Sequence, residues 1–229
     1  MNSSWTPGSE GSLALSYLGV RRAIGVIGVS LPFVLLIGAA VLDGVGVQAS
    51  ISDYYYTIMR NVFVGSMCAN GVFFLSYRYA RVDSAVATLI GLAAIGVALF
   101  PTTPVNPTSA ESAIGAVHFV CATVFFVALA WYSYFIFTKT DPSRPMTAQK
   151  RRRNVVYRTS GIVIVVCLLL IAVLNFLPAS PIDDLQPVFW LETVASVAFG
   201  VSWLIKGETL LKDVVDKSAT ETSGGSVPV

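Results

Sequence analysis

The stretch RRAIGVIGVSLPFVLLIGAAVLD, residues 21–43, begins with two arginines, continues without a charge over 23–42, and ends on an aspartate. A helix of about 20 apolar residues crosses the roughly 30 Å hydrocarbon layer of a membrane. We therefore predict that 23–42 spans a membrane. The run is longer than the apolar core of about 7–15 residues in a signal peptide, which favours a retained helix over a cleaved one.

The composition of the whole chain agrees with this first run. Of the 229 residues, 55% are hydrophobic and only 12% are charged, and the mean hydropathy is +0.71. A soluble domain carries roughly 25% charged residues. The chain therefore has too few charges to solvate a globular surface of its size, which indicates an integral membrane protein.

Five further apolar runs are long enough, or nearly long enough, to span: 54–77, 84–100, 113–137, 159–177 and 188–205. The predicted fold class is all-α, a polytopic membrane bundle with six transmembrane helices. We predict a cytoplasmic segment at 1–22, the transmembrane domain at 23–206, and a largely disordered cytoplasmic tail at 207–229.

The basic residues predict the orientation of this bundle. If six spans alternate, fourteen of the fifteen Lys and Arg residues fall on one side, and the loops 43–53, 101–112 and 178–187 on the other side contain none. Lys and Arg concentrate in the cytoplasmic loops of membrane proteins. We therefore predict a multi-pass protein of a plasma (inner) membrane with both termini in the cytoplasm.

The exception to this charge pattern is Arg60, in SISDYYYTIMRN at 50–61. Asp53 is a residue type that caps helix N-termini, so we expect the second span to begin near Tyr54. Arg60 would then lie about 10 Å below the outer end of that helix. A cation at this depth on the outer side needs a local partner.

The ionisable residues on the same outer side include Asp53, His118 and Glu192. We predict that Asp53, Arg60, His118 and Glu192 form a ligand-binding polar cluster, with an ion pair between Arg60 and Glu192. Arg60 would contact an anion such as a lipid headgroup, the two carboxylates would orient Arg60, and His118 would respond to protonation. The alternative is a structural cluster that only fixes which helix faces which.

The predicted activity is the binding or sensing of a lipid headgroup or small ligand. Three alternatives stay open: a small proton-coupled transporter, an intramembrane enzyme that acts on lipid with His118 as base, and an accessory subunit. A single histidine is too few for a zinc hydrolase, and the sequence carries no phosphate-binding glycine loop, haem attachment motif or EF-hand. We predict no catalytic residue, metal site or cofactor.

The expected partners are membrane lipids, with anionic lipids at Lys150, Arg151, Arg152 and Arg153. A second copy of the chain or another membrane protein is a further possibility, and nucleic acid is not expected. The three cysteines all lie in apolar runs, where they act as small hydrophobic residues.

Three short motifs resemble a known family. ISD at 51–53, GVALFPTTP at 96–104 and the histidine in AIGAVHFVCA at 113–122 are similar to a bacterial membrane-protein family of unknown function, the one numbered 998. The DRAM and Sfk-type six-span proteins share a similar ISD before a span. The resemblance implies six helices and an outer polar pocket built from Ser52, Asp53, the turn 100–103 and His118. This chain departs from the family after ISD, where YYYTIMRN replaces the usual small residues.

Overall fold

A computed structural model of the chain describes residues 8–77, 81–140, 143, 146–178 and 181–208. Most of the predicted disordered tail, from residue 209 onward, lies outside the described residues. The described residues form helices and connecting segments and contain no strand, so the predicted all-α class is confirmed.

The described residues contain six α-helices in chain order: α1 Gly8–Asp43, α2 Arg60–Ser76, α3 Arg81–Leu99, α4 Ser109–Trp131, α5 Ala148–Phe176 and α6 Pro187–Lys206. A π-helical turn, Tyr132–Ile136, continues α4. Two short 3-10 turns, Ser52–Tyr56 and Pro181–Leu185, lie in the connections before α2 and α6.

Five of these helices are long and apolar enough to cross a membrane: Tyr17–Asp43, Arg81–Leu99, Ser109–Ile136, Ala148–Phe176 and Pro187–Lys206. The second predicted span differs from the expectation. Its helix, α2, has only 17 residues, which is about 26 Å at 1.5 Å per residue and less than the usual hydrocarbon thickness. The residues before it, Ser52–Tyr56, form a separate 3-10 turn.

Two helices begin before the spans predicted for them. α1 begins at Gly8, so no change of structure marks the predicted boundary at residue 22. α5 begins at Ala148, where the hydroxyl of Thr147 caps it by accepting a hydrogen bond from the Lys150 N–H at 3.1 Å. The basic run 150–153, expected in a loop, therefore forms the first turns of α5.

The six helices form a closed ring. Each helix packs against the next along the chain, and α6 returns to pack against α1. The chain thus gathers 44–59, 100–108 and the described residues of 177–186 at one end, here called the acidic end. The other end, here called the basic end, holds Tyr77, the start of α3, residues 137–140 and 146–147, and Arg21, Arg22 and Lys206.

Small residues let the helices approach closely. A methyl group on Gly200 of α6 would lie 2.7 Å from the Gly25 carbonyl oxygen of α1. The Ser196 hydroxyl donates to the Gly28 carbonyl of α1 at 2.7 Å. Such backbone contacts are typical of helix pairs in membranes, where lipid removes most of the hydrophobic drive for association.

The centre of the ring is aromatic. Trp203 of α6 is fully buried, and five rings lie with centroids 5.0 to 6.3 Å from its own: Phe74, Tyr77, Tyr132, Phe137 and Phe199. Aromatic pairs at these separations add to the stability that comes from burial. This packing fills the ring around Trp203, and the larger open spaces lie toward its two ends.

Candidate functional site: a cleft at the acidic end

A cleft of about 250 Å³ opens at the acidic end between α4, α5, α6 and the segment before α2. Its polar lining consists of Ser50, Ser52, Asp53, Thr102, His118, Thr123, Asn175 and Glu192. Its apolar walls include Phe119, Phe126, Leu168 and Ile171. We call this the acidic cleft. Three of the four predicted site residues, Asp53, His118 and Glu192, meet in it.

Glu192 connects α6 to the segment before α2. The helix begins at Pro187, after Gln186 in the left-handed region at φ 52°, so Glu192 lies in its second turn. One carboxylate oxygen, Oε2, accepts a hydrogen bond from the Ile51 N–H at 2.7 Å. A charge-assisted bond of this kind is stronger than a neutral one. It holds the ISD segment against α6 and leaves the carboxylate on the wall of the cleft.

Asp53 is held by its own turn. The Ser50 hydroxyl donates to Oδ2 of Asp53 at 2.8 Å, and the Asp53 N–H donates back to that hydroxyl oxygen at 3.1 Å. Burial raises the pKa of Asp53 above its ordinary value of 3.8, against the opposing effects of the Ser50 hydrogen bonds and of the nearby His118. Asp53 therefore retains its proton to a higher pH than an exposed aspartate does.

His118 is buried in α4, with 5% of its surface exposed. Its Nδ1 lies 2.6 Å from the Phe100 carbonyl oxygen. Because a carbonyl only accepts, Nδ1 carries the hydrogen, and in the neutral ring the lone pair is on Nε2. The turn 100–103 approaches this close because residue 115 is a glycine, where any side chain would overlap Thr103.

Arg60 does not join the other three residues, and the ion pair expected between Arg60 and Glu192 is not formed. Arg60 is the first residue of α2 and is exposed. Its Nε donates to the Tyr55 carbonyl oxygen at 2.6 Å, and the guanidinium carbon lies 4.5 Å from the centroid of the Tyr55 ring. The expected local partner exists, but it is the preceding turn rather than another helix.

The displacement of Arg60 follows from where α2 begins. The expected start near Tyr54, with Asp53 as the cap, is wrong: Asp53 enters the 3-10 turn, and Thr57 is extended at φ −113° and ψ 176°. Tyr54 is fully buried and packs against Phe189 of α6, with ring centroids 5.9 Å apart. The burial of this ring holds the turn inward, and the helix starts only after the break.

A smaller cavity of about 40 Å³ lies below the acidic cleft and shares Ser52, Ala122, Phe126 and Glu192 with it. Asn70 of α2 lines this cavity, and its side-chain oxygen is buried without a hydrogen-bond partner among the described residues. Glu192 therefore faces both spaces. The polar atoms continue inward as far as Asn70.

Sequence reasoning overlooked Ser50, Thr123 and the neighbouring Tyr56, whereas the family resemblance had included Thr102 through the turn 100–103. Ser50, Thr102 and Tyr56 shape the rim of the cleft: the Tyr56 hydroxyl donates to the Thr102 carbonyl at 2.6 Å. Asn175 of α5 also lines the cleft. A signal existed for Ser50, because a serine three residues before an aspartate favours a side-chain turn. No group of three metal-ligating side chains occurs in the part of the chain described here.

The chain was compared with models of known protein families, with curated proteins and with solved structures, and none of them matches it.

Proposed function

We propose that the chain is a six-span membrane protein that binds or senses an amphiphile with a positively charged polar group in the acidic cleft. The observation that carries the proposal is the meeting of Asp53, His118 and Glu192, from three separate segments, in one cleft with apolar walls. Ligand sites combine such walls with a few convergent polar groups.

The charge of the cleft supports a cationic ligand. Two carboxylates line it, and no Lys or Arg is among its lining residues. Without Arg60 the cleft lacks the anion contact expected from the sequence, so an anionic headgroup would meet two carboxyl groups and no cation. A substituted ammonium group would instead be attracted by both carboxylates, in surroundings less polar than bulk water.

The walls of the cleft support a ligand with an apolar tail. Phe119 is 62% exposed on α4, and Leu168 and Ile171 face it from α5. Exposed side chains on a membrane-spanning helix contact lipid. An alkyl chain could therefore extend from the cleft along α4 and α5 while its polar group stays near Asp53 and Glu192.

The proposed sixth span is 54–77, which is α2 together with the residues just before it. A short helix is accommodated by local thinning of the membrane or by side chains that extend to the interface, as Arg60 does toward Tyr55. We further propose that the basic end faces the cytoplasm of a plasma membrane, because of the charge distribution. With this orientation, we also propose that anionic lipids of the cytoplasmic leaflet contact Lys150, Arg151, Arg152 and Arg153.

The proposal is tested with two amphiphiles of equal chain length and opposite charge, dodecyltrimethylammonium and dodecyl phosphate. Binding to the purified protein in neutral nanodiscs is measured for the wild type, Glu192→Gln and Asp53→Asn. The control is Asp43→Asn, which removes an exposed carboxylate at the same end, outside the cleft.

We expect the cation to bind the wild type and the control alike, and each cleft variant about tenfold more weakly. If the two amphiphiles bind the wild type equally, or if Asp43→Asn weakens binding of the cation as much as the cleft variants do, the proposed cation site is wrong.

A second candidate is an intramembrane enzyme that acts on lipid, favoured by the hydrogen bond between His118 Nδ1 and the Phe100 carbonyl. This bond orients the imidazole ring and leaves Nε2 of His118 able to accept a proton, as a general base must. Incubation of the protein with a lipid panel should then give turnover that His118→Gln abolishes, since glutamine can still donate to Phe100 but cannot take up a proton. Absence of turnover in the wild type would exclude this candidate.

The resemblance to the family numbered 998 remains part of the proposal. Its motif residues Ser52, Asp53, Thr102 and His118 line the same cleft, which supports a shared site.

A further inference from the structure

A second pocket, of about 280 Å³, lies at the basic end of the ring. It is lined by Arg21 of α1, Tyr77, Asp83 of α3, Lys139, Thr140 and Lys206 of α6, with Ile136 at its side. We call it the basic pocket. It holds three cations and one carboxylate, it shares no residue with the acidic cleft, and the function proposed above does not use it.

The one carboxylate is already engaged. Asp83 is buried, with 6% of its surface exposed, and forms an ion pair with Lys139. Lys139 is half exposed, with 54% of its side chain accessible, so its ammonium group keeps donor capacity on the pocket side. Asp83 therefore positions Lys139 and does not neutralise the other two cations.

Arg21 has a neutral partner. Its Nη2 and Nε donate to the Tyr77 hydroxyl at 2.7 Å and 3.2 Å. A phenol oxygen orients the guanidinium but does not cancel its charge. Because Tyr77 itself is buried, this bond fixes Arg21 at the edge of the pocket with its remaining N–H groups available as donors.

Lys206 is the least compensated of the three. Its ammonium nitrogen lies 5.5 Å from the centroid of the Phe137 ring. The charges that act on it are those of Arg21, Lys150 and Arg153, which repel it, and of Asp83, which attracts it. No ion pair of Lys206 occurs among the described residues. Holding a half-buried cation among other cations is costly unless an anion joins them.

We propose that the basic pocket binds a terminal phosphate group as its dianion. Arg21, Lys139 and Lys206 line the pocket from three separate segments and would supply charge-assisted hydrogen bonds to the phosphate oxygens. Three cations against one carboxylate leave an excess of positive charge that matches a phosphomonoester, which carries close to two negative charges at neutral pH. The basic first turns of α5 add long-range attraction for such a ligand.

The phosphate has two possible sources with the same chemistry. It is either the headgroup of a phosphomonoester lipid in the leaflet at the basic end or a soluble phosphomonoester. The experiment therefore has two arms, both with the full-length protein. In the first arm, nanodiscs contain phosphatidic acid or, at matched content, phosphatidylglycerol, whose phosphodiester lacks a terminal phosphate. In the second arm, glycerol 3-phosphate is titrated into protein in neutral nanodiscs.

The variants compare pocket charge with surface charge. Lys206→Gln and Arg21→Gln each remove one cation of the pocket, and Arg151→Gln removes an exposed cation of the neighbouring run. We expect each pocket variant to weaken phosphate binding about tenfold, and Arg151→Gln to change it less than about twofold. Binding in the first arm alone identifies the lipid as the source, and binding in the second arm identifies a soluble phosphate.

Two results would overturn the proposal: no phosphate binding by the wild type in either arm, or equal losses in Arg151→Gln and the pocket variants. Equal affinity for phosphatidylglycerol and phosphatidic acid would overturn it as well. If Lys206→Gln does not fold, Arg21→Gln alone carries the comparison, because it leaves the ion pair between Asp83 and Lys139 intact. The melting temperature of that variant is measured with and without glycerol 3-phosphate. If the phosphate no longer stabilises the variant, and its melting temperature in phosphate-free buffer is unchanged, the result supports the pocket. If glycerol 3-phosphate still stabilises the variant, the result contradicts it.

Discussion

Glu192 and Arg60, expected to form one ion pair, should behave as independent residues. Glu192→Gln keeps an oxygen that can accept the Ile51 N–H, so we expect a small loss of stability but a large loss of cation binding. Arg60→Ala removes only the contacts with Tyr55, and we expect a loss of less than about 1 kcal/mol with unchanged binding. Thermal unfolding in detergent and the amphiphile titration measure the two effects.

The variant that combines Glu192→Gln with Arg60→Ala provides the control for this prediction. Residues without shared partners give additive changes, so the coupling free energy should stay below about 0.5 kcal/mol. A coupling free energy well above that value would show that the two charges interact after all.

Asp53 makes stability depend on pH. Because burial raises its pKa above 3.8, the folded protein keeps this proton at pH values where the unfolded chain has released it. Its contribution to stability is therefore present at low pH and is lost as the pH rises through the folded-state pKa. Asn can still accept the Ser50 hydrogen bond and does not titrate.

We therefore expect the melting temperature of the wild type, relative to Asp53→Asn, to fall as the pH rises from about 4 and to level off above the folded-state pKa. The two proteins are compared in the same detergent and buffers. A difference that grows in favour of the wild type would mean that the carboxylate is stabilised, not disfavoured, by its surroundings.

For single residues, the sequence predicted how far along the bundle a side chain lies but not which neighbour it contacts. Counting along apolar runs placed Asp53, His118 and Glu192 near one end of the bundle, and they do line one cleft. It could not show that Arg60 turns back to Tyr55, because that depends on the break at Thr57 and on the burial of Tyr54. Both are properties of the packed molecule.

The contact between α1 and α6 should be the most sensitive to added volume. A methyl group on Gly200 would lie 2.7 Å from the Gly25 carbonyl oxygen and from the Val29 backbone nitrogen, and neither can rotate away. We expect Gly200→Ala to cost about 1–3 kcal/mol of stability. The matched control is Gly65→Ala in α2, where nothing lies within 4 Å of the added methyl.

Gly65→Ala should be neutral or raise stability by up to about 1 kcal/mol, because alanine is the better helix former. Melting temperatures of both variants in one detergent test the pair. A stable Gly200→Ala protein would contradict the close approach of the two backbones.

Small-residue spacing in the sequence was therefore an incomplete guide to helix contacts. Ser196 and Gly200, four residues apart, do form the contact with α1. Gly65 and Ala69 have the same spacing, yet α2 uses Gly71 against Gly91 of α3 instead. The spacing of small residues identifies a helix face that another helix could approach closely. Which face has such a neighbour depends on the arrangement of the helices in the ring.

The orientation of the whole bundle is tested by cysteine labelling. In a variant with Cys68, Cys121 and Cys167 replaced, Val105→Cys and Met146→Cys each present one exposed thiol, at the acidic and the basic end. A membrane-impermeant maleimide should label Val105→Cys in intact cells and Met146→Cys only after permeabilisation. The reverse pattern would invert the proposed topology.

The all-α class and the positions of most apolar helices followed from composition and run length alone. The closed ring did not, because α6 meets α1 through contacts that join distant parts of the chain. The cleft depends on that closure, since Glu192 of α6 must reach Ile51 beyond the end of α1. The short α2 also escaped prediction, because tyrosines inside a 3-10 turn resemble the start of a span.

The most direct test of the central claim is an experimental density map of the protein in a nanodisc with bound dodecyltrimethylammonium. We predict headgroup density between Asp53 and Glu192, beside His118, with the tail along Phe119 and Leu168. Headgroup density beside Arg60 instead, or a cleft closed by its own side chains with the probe elsewhere, would contradict the account.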